Sequence, residues 1–493
     1  MVWYPLDWCY QMGIHKIHLV TPPSSVPPLE AALSQNPHLT SLPSPKADIV
    51  APAGLTHTTG TAELLRLPEI QSVITKDFVI LPCDLVCEVP GESLLESWIV
   101  QQGSLFSAPN SAQEESLRSI NYRRGDITRK GALGVCFETQ GEDRVKGAET
   151  DLIITASLPQ PAALPPASSL RPHISKLVYA TPTDTLRDIL QEKGGFPVRS
   201  GLIRKHGRVR ILTTHRDSHV YFFPHWVLSM ITRNEKFDSI SEDVVGWWAK
   251  GTWQTGLAEK LHMKEALDGQ PTSSLGHADQ SQISINKLKN LISTHTSTYT
   301  SRHYNGKPTF QPPCILSYVH PSGSNQLIRR VDTAALLLST SIRLAALPPT
   351  ISPPADASPT RLSHPTKISA DSSLIAPRST IDEKTSLIAP NTSIATHCTI
   401  KSSCIGANCL IGVGVRIINS ILMDGAQVDD QVSLQGCILG RRCTIGKGSK
   451  LEGSEVQEGY RVEEGTVGSK GDKFCAFEGL DGVDDGGNET DLS

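Results

Sequence analysis

Residues 404–422 read CIGANCLIGVGVRIINSIL. The aliphatic residues Ile405, Ile411, Ile417 and Leu422 recur at spacings of six, six and five, with glycine and other small residues between them. A helix would repeat near every 3.6 residues and a simple strand every two. A period of six is typical of a hexapeptide β-helix, in which each six-residue rung forms one side of a triangular coil.

The same period continues in both directions and defines a ladder of aliphatic residues. Each rung side chain that is buried on the axis contributes about 1.5–3 kcal/mol, and neighbouring coils share one core. We therefore predict a left-handed parallel β-helix of hexapeptide repeats over residues 368–470, followed by an acidic, disordered tail over 471–493. The ladder consists of Ile375, Ile381, Ile388, Ile394, Ile400, Ile405, Ile411, Ile417, Leu422, Val428, Leu434, Leu439, Ile445, Leu451, Val456, Val462 and Val467.

Helical and strand patterns alternate in the part of the chain before the ladder. Residues 2–13 predict an amphipathic helix that ends at Gly13, and residues 14–20 predict a strand. The continuous apolar runs at 78–81 and 151–154 are typical of buried parallel strands. This alternation indicates an α/β layered domain with a Rossmann-like sheet.

Composition shifts suggest where this domain is interrupted and where it ends. We place the α/β domain at 1–346, with insertions near 104–120, 157–169 and 269–313. The segment 347–367 is rich in proline and is predicted to be a linker to the β-helix.

Charge and cysteine usage argue against nucleic-acid and membrane surfaces and against a disulfide framework. Forty-six basic and fifty acidic residues give a net charge of −4, which does not favour a nucleic-acid or membrane surface. The eleven cysteines include no C-x-x-C pair, a pattern that suits reduced thiols in the cytosol. Cys83 and Cys87 could be metal ligands, but no second pair follows them. The rung cysteines are predicted to be small packing residues; they are Cys398, Cys404, Cys409, Cys437 and Cys443.

Two features of the α/β domain could bind a nucleotide. Gly60, Thr61 and Ala62 open a predicted helix, where a glycine allows close approach to a base or phosphate and free amides favour anions. Asp84 follows the apolar run at 78–81, at the strand end where open α/β sheets bind ligands, and it could hold Mg²⁺ there. The alternative is that Gly60 opens an ordinary helix and that Asp84 forms a turn or a cap.

Four histidines offer other chemistry. His215, His219 and His225 lie within eleven residues, but a zinc site needs convergent ligands and a fourth donor, so ordinary polar strand residues are the simpler interpretation. His397 is the one histidine of the ladder, and hexapeptide acyltransferases use a histidine base between subunits. An acyltransferase is therefore one hypothesis for this chain.

Several segments together resemble the sugar-phosphate nucleotidyltransferase superfamily. More narrowly, they are similar to gamma subunits of eukaryotic translation initiation factor 2B. Besides the ladder, the segments that support this resemblance are MVWYPLDWC at 1–9, GTA at 60–62, FVILPCDL at 78–85, KGAETD at 146–151, DSHVY at 217–221 and IRRVDT at 328–333.

This resemblance implies a non-catalytic, cytosolic subunit of the complex that exchanges GDP for GTP on initiation factor 2. The implied partners are the epsilon subunit, the other subunits of that complex and initiation factor 2. Neither a cofactor, a membrane nor direct nucleic-acid contact is implied. In epsilon a helical exchange domain follows the β-helix, whereas only 26 residues follow Val467 here, so we expect a gamma-like chain.

In nucleotidyltransferases, a first strand and a glycine-rich phosphate loop come before the helix that starts at Met1 in this sequence. We therefore expect an N-terminally truncated domain with exposed sheet edges, and an unstable isolated chain. The alternative function is a sugar-1-phosphate nucleotidyltransferase of the mannose-1-phosphate guanylyltransferase type. That activity would need the glycine-rich loop to stabilise the leaving pyrophosphate.

Overall fold

The structure is a computed structural model of the chain. It describes residues 1–56, 58–103, 131–140, 144–159, 164–166, 168–268, 310, 312–351, 353, 359–369 and 371–476. The predicted insertions at 104–120 and 269–313 and the tail at 471–493 lie largely outside these residues. The chain divides into two compact units, Met1–Ile328 and Arg329–Ser493.

The first unit contains strands and helices in alternation, as the sequence predicts. Its strands are β1 (His18–Val20), β2 (Asp48–Val50), β3 (Phe78–Ile80), β4 (Leu85–Cys87), β5 (Ala132–Glu138), β6 (Asp151–Ala156), β7 (Ile174–Pro182), β8 (Val209–Phe223) and β9 (Ile315–Val319), and β10 (Ile328–Arg330) spans the division. Its helices are α1 (Trp3–Gln11), α2 (Val26–Gln35), α3 (Pro37–Thr40), α4 (Thr61–Leu64), α5 (Pro68–Val73), α6 (Gly91–Gly103), α7 (Thr183–Lys193), α8 (Ser200–Lys205), α9 (Trp226–Arg233), α10 (Gly246–Gly251), α11 (Leu257–Lys260) and α12 (Met263–Asp268), with a π-helical turn at Ile240–Val245.

The central sheet has six strands in the order β3-β8-β5-β9-β7-β6. Strand β8 is fifteen residues long and pairs with two sets of neighbouring strands. Its second half pairs with β3 and β5, while its first half pairs with β6. Strands β8, β5, β9, β7 and β6 therefore form a closed circuit of hydrogen bonding. Strands β1 and β2 form a separate two-stranded parallel sheet.

The two faces of the sheet follow the period-two alternation of strand side chains. Along β8, Tyr221 and Phe223 enter a cluster that includes Trp226 and Trp248, whereas Phe222 enters the opposite cluster with Trp98. Both faces are thus covered by apolar packing. The predicted α/β domain is confirmed, with a sheet that mixes parallel and antiparallel strand pairs.

The apolar run at 78–81 is not a buried parallel strand, so that prediction was wrong. Strand β3 is half-buried, lies at one end of the strand order and runs antiparallel to β8. Its residues are all apolar because both faces are covered: Phe78 and Ile80 pack against one cluster and Val79 against the other. The run at 151–154 lies in β6, which is buried but antiparallel to both of its neighbours.

The second unit starts before the predicted linker. Helix α13 (Ala334–Ala346) belongs to it, whereas the sequence boundary at 346 assigned this helix to the first domain. Thr333 caps the helix, since its Oγ1 accepts a hydrogen bond from Leu336 N at 3.3 Å.

The rest of the second unit is a parallel β-helix of about six turns with three sheets. The first face consists of β11 (Thr380–Ile381), β14 (Thr399–Lys401), β17 (Arg416–Ile418), β20 (Ser433–Gln435), β23 (Lys450–Glu452) and β26 (Val467–Gly468). The second face consists of β12 (Leu387–Ile388), β15 (Cys404–Ile405), β18 (Ile421–Leu422), β21 (Ile438–Leu439), β24 (Glu455–Val456) and β27 (Lys473–Phe474). The third face consists of β13 (Ser393–Ile394), β16 (Leu410–Ile411), β19 (Gln427–Val428), β22 (Thr444–Ile445) and β25 (Arg461–Val462). The predicted β-helix is confirmed.

The ladder fills the axis with one exception at its end. The ladder residues from Ile388 to Val462 are buried, and the two earlier ladder residues Ile375 and Ile381 pack against this core. Val467 is 75% exposed, so its predicted place in the core was wrong. Its neighbour Gly468 takes the inward position and pairs with Leu451. A Cβ on Gly468 would lie 2.8 Å from Leu451 Cδ2, so a side chain there would require Leu451 to shift.

A second buried column lies at one corner of the coils. Ser403 N donates to Ser386 Oγ, Ser420 N donates to Ser403 Oγ at 3.2 Å, and Cys437 N donates to Ser420 Oγ at 3.1 Å. Each hydroxyl thus satisfies an amide of the next coil, as buried polar groups require.

The predicted packing role of the rung cysteines holds for four of the five. Cys398, Cys409, Cys437 and Cys443 are at most 1% exposed. Cys404 instead faces outward on the second face, where its Sγ lies 3.5 Å from Ser341 O of helix α13. Helix α13 therefore packs against part of that face.

Candidate functional site

The Gly60, Thr61 and Ala62 motif is held by a distant segment of the chain. Gly60 precedes α4, Ala62 N donates to Asp238 O at 2.7 Å, and Ile240 N donates to Thr61 Oγ1 at 2.9 Å. A Cβ added to Gly60 would lie 1.7 Å from Asp238 Oδ1. The glycine is therefore needed for the approach of Asp238, and one amide of the helix start already has a protein partner.

Asp84 lies in the turn between β3 and β4 and is partly exposed. The hydrogen bonds of the Gly60 motif go to the 238–240 segment, and Asp84 is not among their partners. The structure thus places the motif against this segment and Asp84 in a turn after β3, which is not the buried parallel strand that the sequence predicts. Nucleotide binding at these residues stays a prediction.

The histidines that the sequence singles out take separate places. His215 is buried in β8, while His219 has a left-handed backbone with φ of 55° and stacks on Tyr221. His225 Nε2 lies 3.2 Å from Ile74 O. His397 lies exposed in a turn of the β-helix. Within the described part of the chain, no group of three or more potential ligands could hold a metal ion.

A half-buried acidic cluster, which no sequence pattern reveals, lies where β8 meets β6. Asp217 N donates to Asp151 Oδ2 at 2.7 Å, and the Asp217 carboxylate accepts from Tyr221 OH and from His219 N. Burial, followed by the charge of Asp217, raises the pKa of Asp151 to about 7. Burial and Asp217 likewise raise the pKa of Tyr221. Both segments appear in the family resemblance, but their contact depends on strand pairing that spacing does not show.

The β-helix presents three surfaces of different chemistry. The first face carries exposed Lys401, Arg416, Lys450 and Glu452. The outward residues of the second face are apolar in its first four strands: they are Leu387, Cys404, Ile421 and Ile438. The third face is polar except for Leu410, which is 51% exposed. The first and third faces therefore offer polar surfaces with isolated apolar side chains.

Comparisons with known proteins agree with this architecture. Residues 366–468 match the family described as the EIF2B subunit epsilon LbH domain. The chain is similar to subunits of eIF2B. One relative is the translation initiation factor eIF2B subunit gamma of Schizosaccharomyces pombe (strain 972 / ATCC 24843), which is 23% identical over 269 residues. That alignment covers 54% of this chain and 48% of the relative, so it spans about half the length of the relative.

The two matches carry the names of different eIF2B subunits. The epsilon description applies to the β-helix, whereas the gamma match covers more than half of the chain. Together they support an eIF2B-like family without deciding the subunit. Among the described residues, no helix is both long and apolar enough to cross a membrane.

Proposed function

We propose that this chain is a gamma-like, non-catalytic subunit of a cytosolic eIF2B-type complex that exchanges GDP for GTP on initiation factor 2. It would bind an epsilon-type subunit and the other subunits of the complex. The main support is the β-helix at 366–468, which matches a domain named for one eIF2B subunit within a chain similar to another. The contribution to exchange is architectural: the chain positions partners, while the epsilon-type subunit opens the nucleotide site.

The environment of Gly60 supports the non-catalytic part of this proposal. Phosphoryl chemistry needs free donors at the position where charge develops. Here Asp238 places a carboxylate beside Gly60 and its carbonyl binds Ala62 N. A carboxylate at this position would repel a phosphate rather than stabilise it.

The assay for exchange uses the chain produced together with its eIF2B-type partners. We expect the release of labelled GDP from initiation factor 2 to be faster with the complete complex than with the complex lacking this chain. Equal rates with and without the chain would contradict the proposal.

A second assay tests the nucleotidyltransferase alternative. The same preparation is supplied with GTP, Mg²⁺ and mannose 1-phosphate, and released pyrophosphate is measured. We expect no turnover above the protein-free background. Robust turnover would contradict the non-catalytic assignment.

A further inference from the structure

A polar cavity of about 250 Å³ lies within the first unit, bounded by β6, β7, β8 and the end of β9. Thr155, Ser175, Arg210 and His215 line it from three of the strands, and His320 lines it just after β9. None of these residues belongs to the Gly60 motif or to the acidic cluster. Its volume is slightly below the range of about 300–1,000 Å³ for drug-sized ligands, so it suits a smaller molecule.

The lining of this cavity has a positive charge and no opposing charge. The Arg210 side chain is exposed, and no hydrogen bond or ion pair joins its guanidinium to the described residues. None of the described lining residues is acidic. The guanidinium therefore has its donors available for an anion, and a guanidinium fork matches phosphate geometry.

His215 adds a second polar group to the lining. Its Nδ1 lies 3.2 Å from Thr214 Oγ1. Its Nε2 has no hydrogen-bond partner among the described residues. Burial lowers the pKa of His215; Glu138 opposes this change and Arg210 adds to it. An anion beside both groups would favour the protonated ring, so ligand and imidazolium would stabilise each other.

His173 and His320 also line the cavity, and among the described residues they form no metal site. Since the carbonyl of Gln326 can only accept, His320 Nε2 donates to it at 2.9 Å, and Nδ1 then accepts from Tyr318 OH at 3.1 Å. Both ring nitrogens of His320 are thus engaged. His173 lines the cavity with its ring 6.4 Å from that of Tyr318.

Other charged groups lie near the strands that line the cavity: Lys176, Lys205 and His206 are close to one another, and Glu138 is close to His215. Thr155 pairs with Arg210, and the next residue of β6, Ala156, pairs with Lys176. Burial and the charge of Lys176 lower the pKa of Lys205, and burial, Lys176 and Lys205 lower the pKa of His206.

We propose that this cavity binds a small phosphate-bearing anion, of the size of a phosphate monoester, through Arg210 and His215. Thr155 and Ser175 supply hydroxyl groups for the remaining phosphate oxygens or for the ester group. The site is separate from the exchange function proposed above and does not depend on it.

Isothermal titration calorimetry of the full chain tests this site, with inorganic phosphate and methyl phosphate as probes and sodium chloride of equal ionic strength as the blank. We expect saturable one-to-one binding in the low millimolar range. Loss of one charged hydrogen-bond donor in R210Q should weaken binding about ten-fold. R210K, which keeps the charge but loses the fork, should show an intermediate loss.

R208Q is the matched control because Arg208 is an exposed neighbour that does not line the cavity. We expect R208Q to bind as the parent chain does, and all variants to share one unfolding temperature. Absence of saturable binding to the folded parent chain would overturn the proposal. Equal losses in R208Q and R210Q would overturn it too, because they would indicate a diffuse basic surface.

Discussion

Asp151 shows how a single side chain makes stability depend on pH. Its pKa rises from 3.8 to about 7 because of burial and the nearby charge of Asp217. Between these two values the folded chain binds more protons than the unfolded chain, so the free energy of unfolding falls as pH rises. Above about pH 7 both states are ionised and the loss is complete.

D151N should therefore be more stable than the parent chain at pH 8, by on the order of 2–4 kcal/mol. The amide keeps an acceptor for Asp217 N without the charge. Urea unfolding at pH 5 and pH 8 measures the difference, which should increase with pH. D184N is the control, because the Asp184 side chain is 80% exposed and it should change little. A D151N chain that is less stable than the parent at pH 8 would show that this account of Asp151 is wrong.

Gly60 distinguishes a packing role from a ligand-binding role. In G60A, the new Cβ would overlap Asp238, and such overpacking costs about 1–3 kcal/mol. G54A is the matched control, since a Cβ there meets nothing within 4 Å. We expect a lower free energy of unfolding for G60A alone, measured by urea titration without any nucleotide. Equal stability of the two variants would contradict the packing role.

The sequence could identify Gly60 as a special position but not the reason for it. A glycine at a helix start suits either a ligand or a close protein contact. The contact here is with Asp238, far along the chain, and no local pattern indicates that approach. The same limit applies to Asp151 and Asp217, which meet only because β6 pairs with β8.

At the level of secondary-structure elements, the β-helix was predictable because its six-residue period recurs along one continuous stretch of chain. Helix α1 and its end near Gly13, whose φ is 73°, were predictable for the same reason. The prediction was wrong at the last rung, because register and not hydrophobicity decides which residue faces inward. Leu434, Leu451 and Gly468 are successive inward partners on the first face, so position 468 faces inward whatever residue occupies it.

This register predicts a large loss of stability for one aliphatic truncation and almost none for another. I417A removes a fully buried rung side chain and should lower the free energy of unfolding of the β-helix by about 2–5 kcal/mol. V467A changes a side chain that is 75% exposed and should stay within about 0.5 kcal/mol. Thermal and urea unfolding of the full chain measure both. Comparable losses in the two variants would contradict the assigned end of the ladder.

The paired strands of the first unit were less predictable than the ladder. A short apolar run does not reveal its direction, because strands covered on both faces are apolar whether parallel or antiparallel. Strand β3 is such a case, since its residues pack against clusters on both sides of the sheet. The direction of β3 is set by its distant partner β8, so only the structure reveals it.

At the level of the whole molecule, the proposed function makes this chain one component of an assembly. The two units combine a mixed α/β domain with a β-helix, and both comparisons lead to eIF2B subunits. The first and third faces of the β-helix carry mostly polar, exposed side chains. A subunit of this kind is expected to be recovered with partners rather than alone.

The central claim is tested most directly by the composition of the particle that the full chain forms with an epsilon-type eIF2B subunit. The two chains are produced together, purified through a tag on this chain alone, and weighed by native mass spectrometry. We expect a hetero-oligomer that contains both chains in a fixed ratio. A stable homo-oligomer of this chain, with the epsilon-type subunit left in the flow-through, would contradict it.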